Sequence, residues 1–290
     1  MAGWDDVLRK IGETPSQFDI IRREFLKQLS EYTGRNVIAY YSGYLNKSGI
    51  SGIDLSDNDM EGFMNAVHGM DCEKGLDLIL HTPGGDPTAA EAIVNYLKDK
   101  FNKDIRAIVP QIAMSAGTMI ACSAKVILMG KQSSLGPIDP QFGGIPAHNI
   151  KLEFEEAKKD LAKNPEHAQY WAIKLQQYPA AFMKSAIDAI ALSDELIRNW
   201  LEDVMLKGNT DALEHAVNFL SNHETSKVHA RHYQYKDCID HGLVVQLLEE
   251  DNKLQDLVLS VHHSYMLTFS STPAIKIIGN SEGKDYVVSA

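Results

Sequence analysis

Two stretches decide the fold: Leu76-Asp77-Leu78-Ile79-Leu80-His81-Thr82-Pro83-Gly84-Gly85-Asp86 and Ile108-Val109-Pro110-Gln111-Ile112-Ala113-Met114-Ser115-Ala116-Gly117-Thr118. Each reads as a buried strand that runs into a tight turn and then a helix. Turns of this kind aim backbone N–H groups at one point in space, because the first N–H groups of a helix have no partner inside it. Ser115 sits at the second turn among small residues.

Working outward, strands and helices alternate. Strands are expected over 76–81, 105–109 and 125–129, with helices over 87–100 and 115–123 between them. This alternation predicts an α/β fold with a mostly parallel sheet, crossover connections and flanking helices. Ligands of such sheets bind beyond the carboxyl ends of the strands, where both turns fall. Upstream, residues 5–33 carry Leu8, Ile11, Phe18, Ile21, Phe25 and Leu29 at helical spacing, split at Pro15, before a strand over 36–44 and a helix over 56–70. Downstream, 132–150 reads as loop. Residues 152–163, much of 168–205, 211–219 and 254–267 read as helix, and the tail after Pro273 reads as polar with one apolar run at 275–278. We expect one domain over 1–290: a helical N-terminal extension over 1–34, a core over 35–250, and a C-terminal helix and tail over 251–290.

The composition narrows the partners. The chain has 290 residues and a formal net charge of −11, with a pI near 5.4. It has no basic run, so no nucleic-acid partner is expected. The apolar segment 107–130 is interrupted by Pro110 and Gln111 and has Lys125 near its end, so it reads as core and not as a membrane span. Cys72, Cys122 and Cys238 are too sparse for a disulfide framework or a zinc site. Together with an N-terminus unlike a signal peptide, they suggest a reducing, cytoplasmic setting.

Acyl-transfer chemistry needs a nucleophile, a base, and donors for the developing oxyanion. Ser115 supplies the first. The N–H groups of Gly85 and Ala116 can supply the third, and Gly84-Gly85 lets that backbone approach a ligand closely. The plainer reading is that these small residues only turn and pack the chain.

Thr-Pro-Gly-Gly at 82–85 followed by Met-Ser-Ala-Gly at 114–117 resembles the ClpP/crotonase-fold serine peptidases. The layout is most similar to signal peptide peptidase A and its relatives, including the serine dehydrogenase (dehydratase) proteinases. The resemblance covers roughly 37–245. It implies a ClpP/crotonase-like fold, Ser115 as nucleophile and Gly85 and Ala116 as oxyanion donors. Where the Clp proteolytic subunit has its histidine, this chain has Asp139, which departs from a Ser-His-Asp triad. Relatives of signal peptide peptidase A use a lysine on a later helix, and Met183-Lys184-Ser185-Ala186 resembles that segment. The resemblance therefore implies a Ser115–Lys184 dyad, with Phe182, Met183, Ala186 and Ile187 as the apolar surroundings that would lower the lysine pKa. Lys131, Lys151, Lys174 and His148 remain competing bases.

Asp139 can orient a lysine or bind a substrate amide, or it can simply form a turn before Pro140. His81 can touch substrate or a neighbouring subunit, or cap its strand. The other histidines, His229 among them, fall on separate predicted elements, so no metal and no cofactor is expected. The expected function is a serine endopeptidase acting on peptides or unfolded proteins, assembled as a homo-oligomer like the family. The alternatives are a crotonase-like acyl-CoA enzyme and a non-catalytic assembly protein on the same fold.

Overall fold

The strand Leu76–His81 is apolar except at Asp77 and His81, and it becomes the middle strand of a seven-stranded sheet. The computed structural model describes residues 18–290, so the part of the predicted first helix over 5–17 lies outside the described residues. The chain runs α1 (Phe18–Thr33), β1 (Asn36–Ser42), α2 (Asp59–Val67), β2 (Leu76–His81), α3 (Pro87–Lys100), β3 (Ile105–Val109), β4 (Ile112–Ala113), α4 (Ala116–Cys122), β5 (Val126–Met129) and β6 (Ser134–Leu135). A short hairpin, β7 (Gln141–Phe142) and β8 (Ile145–Pro146), leads into α5 (Ala147–Lys163), α6 (Ala168–Leu175) and α7 (Phe182–Trp200). Then come α8 (Thr210–Ser221), α9 (His223–Ser226), β9 (Tyr233–Gln234), α10 (Tyr235–Asp240), β10 (Val245–Leu247), α11 (Asn252–Ser271), β11 (Ala274–Asn280) and β12 (Asp285–Ser289).

The sheet order is β10-β5-β3-β2-β1-β11-β12. The first five strands are mutually parallel, and β11 and β12 are antiparallel additions. Alternation along each strand sorts side chains to two faces. Ile38, Tyr40, Leu78, Leu80, Val109 and Met129 pack under α2, α3 and α4. Val37, Ala39, Tyr41, Ile79, Ile108 and Leu128 pack against α1 and α11. The buried Asp77 carboxylate is compensated by Arg106 (2.6 Å) and Arg35 (2.8 Å), the pairing that a buried charge requires.

Three expectations change. The helix predicted over 56–70 spans Asp59–Val67. Residues 132–150 contain the β7–β8 hairpin and the start of α5 at Ala147. The apolar run of the polar tail is a fully buried strand, β11, between β1 and β12. Lys276, Gly279 and Asn280 disguise it in the sequence. Among the described residues no helix is long and apolar enough to cross a membrane.

Candidate active site

The two turns meet. Thr82 N–H donates to Ile112 O (3.2 Å) and Met114 N–H donates to Thr82 O (3.0 Å), tying the end of β2 to β4. Ser115 adopts φ 51° and ψ −120°, a conformation that costs a residue with a side chain roughly 1–3 kcal/mol. It is the sharp strand-to-helix turn that exposes a serine hydroxyl beyond a sheet. Gly84 has φ 94°, and a Cβ there would lie 2.7 Å from Ser115 Cβ and 3.0 Å from Ala116 N. Gly85 has φ 151°, and a Cβ there would lie 2.3 Å from Leu55 O. Gly84 is therefore required by the seat of Ser115, and Gly85 by a passing segment around Leu55. Among the described residues the N–H groups of Gly85 and Ala116 have no acceptor.

A cavity of about 630 Å³ opens in front of Ser115. Gly85, Ser115 and Ala116 form one wall. Pro83, Pro87, Met119, Ile138 and Phe142 make much of the rest apolar, and His229 closes it. Asp139 stands behind that histidine with its carboxylate fully buried. One oxygen accepts from His229 Nδ1 (2.8 Å). The other accepts from Gln141 Nε2 (2.7 Å) and His223 Nδ1 (3.1 Å). An ionised carboxylate only accepts, so Nδ1 of His229 carries its proton and Nε2 is left as the basic nitrogen. His223 in turn stacks on His148 at 6.1 Å. Burial, and then the neighbouring His223, push the His148 pKa down.

Sequence reasoning missed His229. It follows α9 in a stretch without periodicity, and its partner Asp139 is far away in the chain. The one signal available was Asp139 itself: a carboxylate in the histidine's place asks for a histidine elsewhere.

Lys184 is not brought to Ser115. Its helix, α7, does cover the cavity, but through Ala189 and Ser193. Lys184 precedes Ala189 by five positions, about 140° around a helix, and it points to solvent, paired with Asp188. The apolar residues expected around it do not enclose it: Phe182 and Ala186 join a small core with Ala147 and Ile150, and Ile187 is exposed. The other lysines do not line the cavity. The Lys131 backbone donates to Glu249, Lys151 pairs with Glu155, and Lys174 pairs with Glu153. His148 lines a separate cavity with Lys151 and His223.

His81 also lies elsewhere. Strand alternation turns it to the opposite face of the sheet, among Tyr41, Tyr44 and His262. Both of its ring nitrogens are buried without a partner, and burial pushes its pKa down to about 3. Among the described residues no group of three or more His, Cys, Asp or Glu side chains is placed to hold a metal ion.

A family model described as ClpP-like SDH-type serine proteinase matches residues 14–168. The match includes Gly85, Ser115, Ala116 and Asp139 and ends before Lys184 and His229. An uncharacterized protein of Methanocaldococcus jannaschii is 36% identical over 150 residues, 50% of this chain and 52% of that protein. A second uncharacterized protein of the same organism is 41% identical over 96 residues, 33% of this chain and 32% of that protein. The chain thus spans about half, or less, of the length of these curated relatives. Among solved structures, the 1510-N membrane-bound stomatin-specific protease, in a serine-to-alanine mutant form, aligns at 14% identity. That alignment covers 69% of this chain and 78% of the other, with a TM-score of 0.43.

Proposed function

Because the chain belongs to the ClpP-like SDH-type serine proteinase family, we propose that it is a serine peptidase in which Ser115 is the nucleophile, His229 the general base and Asp139 the residue that orients His229. The observation that carries this reading is the Asp139–His229 hydrogen bond opening on the cavity that Ser115 shares.

In this reading each step falls to one of these groups. His229 Nε2 takes the Ser115 Oγ proton as Oγ attacks the peptide carbonyl carbon. The carbonyl oxygen gains negative charge and accepts from the N–H groups of Gly85 and Ala116, which need not reorganise to receive it. The protonated His229 gives its proton to the leaving amine, and Asp139 stabilises the imidazolium meanwhile. Water, deprotonated by His229, then attacks the acyl-serine and releases the carboxylic product. The apolar residues Met119, Ile138 and Phe142 suit a substrate with an apolar side chain next to the scissile bond.

A fluorophosphonate probe tests the reading. It should label Ser115 in the native protein and nothing at that site in Ser115→Ala, and His229→Ala should slow labelling at least about a thousand-fold. Absence of labelling across a wide pH range refutes the nucleophile. An unchanged labelling rate in His229→Ala refutes the base.

A further inference from the structure

The segment Ile53–Ser56 runs past the glycine turn as a strap. On its cavity side, Leu55 N–H donates to Gly84 O (2.8 Å) and Asp86 N–H donates to Leu55 O (2.9 Å). The first of these bonds has a geometric consequence. Gly84 C=O and Gly85 N–H belong to one planar trans peptide, so they point in opposite directions. Holding the carbonyl on Leu55 turns the Gly85 N–H away from the strap. Without that bond, two successive glycines leave the peptide free to rotate.

On its inner side the strap is held by three ties, two to the sheet and one to Asp59 at the start of α2. Ser42 Oγ donates to Ile53 O (2.8 Å). Lys276 Nζ donates to Asp54 O (2.7 Å). Ser56 N–H donates to Asp59 Oδ2 (3.0 Å). Lys276 and Asp59 also bond each other, at 2.8 and 3.0 Å, and Tyr40 OH donates to Asp59 at 2.9 Å. Lys276 is 2% exposed and Asp59 1%. The ammonium has three donors, and all have acceptors here: two carboxylate oxygens and one backbone carbonyl. A buried ion pair is weak evidence for stability, since apolar residues of similar volume often serve as well. Apolar side chains, however, cannot hold Asp54 O and Ser56 N–H.

We infer that the buried Lys276–Asp59 pair is a positioning device for the oxyanion hole, holding the 53–56 strap so that Leu55 fixes the Gly84–Gly85 peptide with its N–H toward the cavity. Lys276 is thus a positioning residue that acts through Asp54, Leu55 and Gly84 and touches no substrate. The inference rests on the serine peptidase reading.

The test is the matched replacement Lys276→Met with Asp59→Asn in the full chain, which removes both charges together and leaves neither orphaned. Three quantities are measured: kcat and KM on a peptide substrate, the affinity for a peptide boronate that forms a tetrahedral adduct with the serine, and the pH profile of kcat. We expect kcat and boronate affinity to fall together by about 10- to 100-fold, the range for a displaced oxyanion donor. KM should stay within about two-fold, and the pH profile should be unchanged, because His229 and Asp139 are not touched. A folded variant with unchanged boronate affinity, or a loss confined to KM, overturns the inference. If the double variant does not fold, Tyr40→Phe removes one donor to Asp59 and should weaken the boronate about two- to five-fold. Unchanged affinity there also overturns it. A native protein that reacts with neither boronate nor fluorophosphonate sinks the peptidase reading itself. One that reacts with both while the double variant is unimpaired sinks only the strap.

Discussion

Ser115 and His229 face the same cavity, yet the two sides of that cavity are built in opposite ways. The Ser115 side is made of backbone. Two strand ends, two glycines in left-handed conformations and a strained serine lock together through main-chain hydrogen bonds and close contacts. The His229 side is made of side chains. One buried carboxylate collects three donors, Gln141, His223 and His229, and the histidine comes from an irregular stretch after α9. A backbone-built wall has no spare volume and fails when atoms are added. A wall built around one charge fails when that charge is removed.

The largest effect should come from the side-chain wall. Asp139→Asn keeps the shape but loses an acceptor-only group, so the His229 tautomer is no longer fixed. We expect kcat to fall about ten-thousand-fold, the scale seen when a triad carboxylate is neutralised, with KM nearly unchanged in steady-state kinetics. An activity within ten-fold of native would show that the carboxylate does not serve His229. The backbone wall is next. Gly84→Ala places a Cβ 2.6 Å from Met114 O at a φ of 94°. It should lose about 2–4 kcal/mol of stability in denaturant unfolding and about a hundred-fold in labelling rate. Native behaviour would show that the seat is looser than these contacts imply.

A smaller effect concerns neither wall. Burial holds His81 neutral in the folded chain, with a pKa near 3, and pushes His262 well down as well. The unfolded chain takes up these protons first, near pH 6.5. Stability is therefore full above that pH and is lost progressively as pH falls toward the folded value. We expect Tm to drop by several degrees between neutral pH and about pH 4, and less in His81→Leu. A native profile that stays flat would mean that burial does not hold these rings neutral. The smallest effect should be that of Lys184→Ala. An exposed lysine paired with Asp188 should leave labelling within about two-fold and stability within about 0.5 kcal/mol. A large loss would return the base to α7.

The same contrast explains what could be read in the sequence. The Ser115 side was legible because it is local: apolar runs give the strands, and glycines mark the turns where they end. The parallel core followed from that alternation. The pairing of Asp139 with His229 was not legible, since the two residues meet only through the tertiary fold. Lys184 stands on the helix that covers the cavity, but not on the face turned to it. One position shifts a helical side chain by about 100°, and Ser185, not Lys184, lies on the stripe of Ala189 and Ser193. Strand β11 escaped notice for another reason. A lysine within a strand reads as a solvent-facing residue until its partner, Asp59, is known.

The place of β11 in the chain has a consequence for synthesis. A ribosome-bound chain already contains Ser115 and both glycine turns long before Lys276 has been made. At roughly 5–20 residues per second, the interval is on the order of ten seconds or more. During that time the 53–56 strap lacks its Lys276 tie, and β1 has no antiparallel neighbour to close it. The order of translation thus makes the tie between the 53–56 strap and the sheet a late contact, formed after both glycine turns exist.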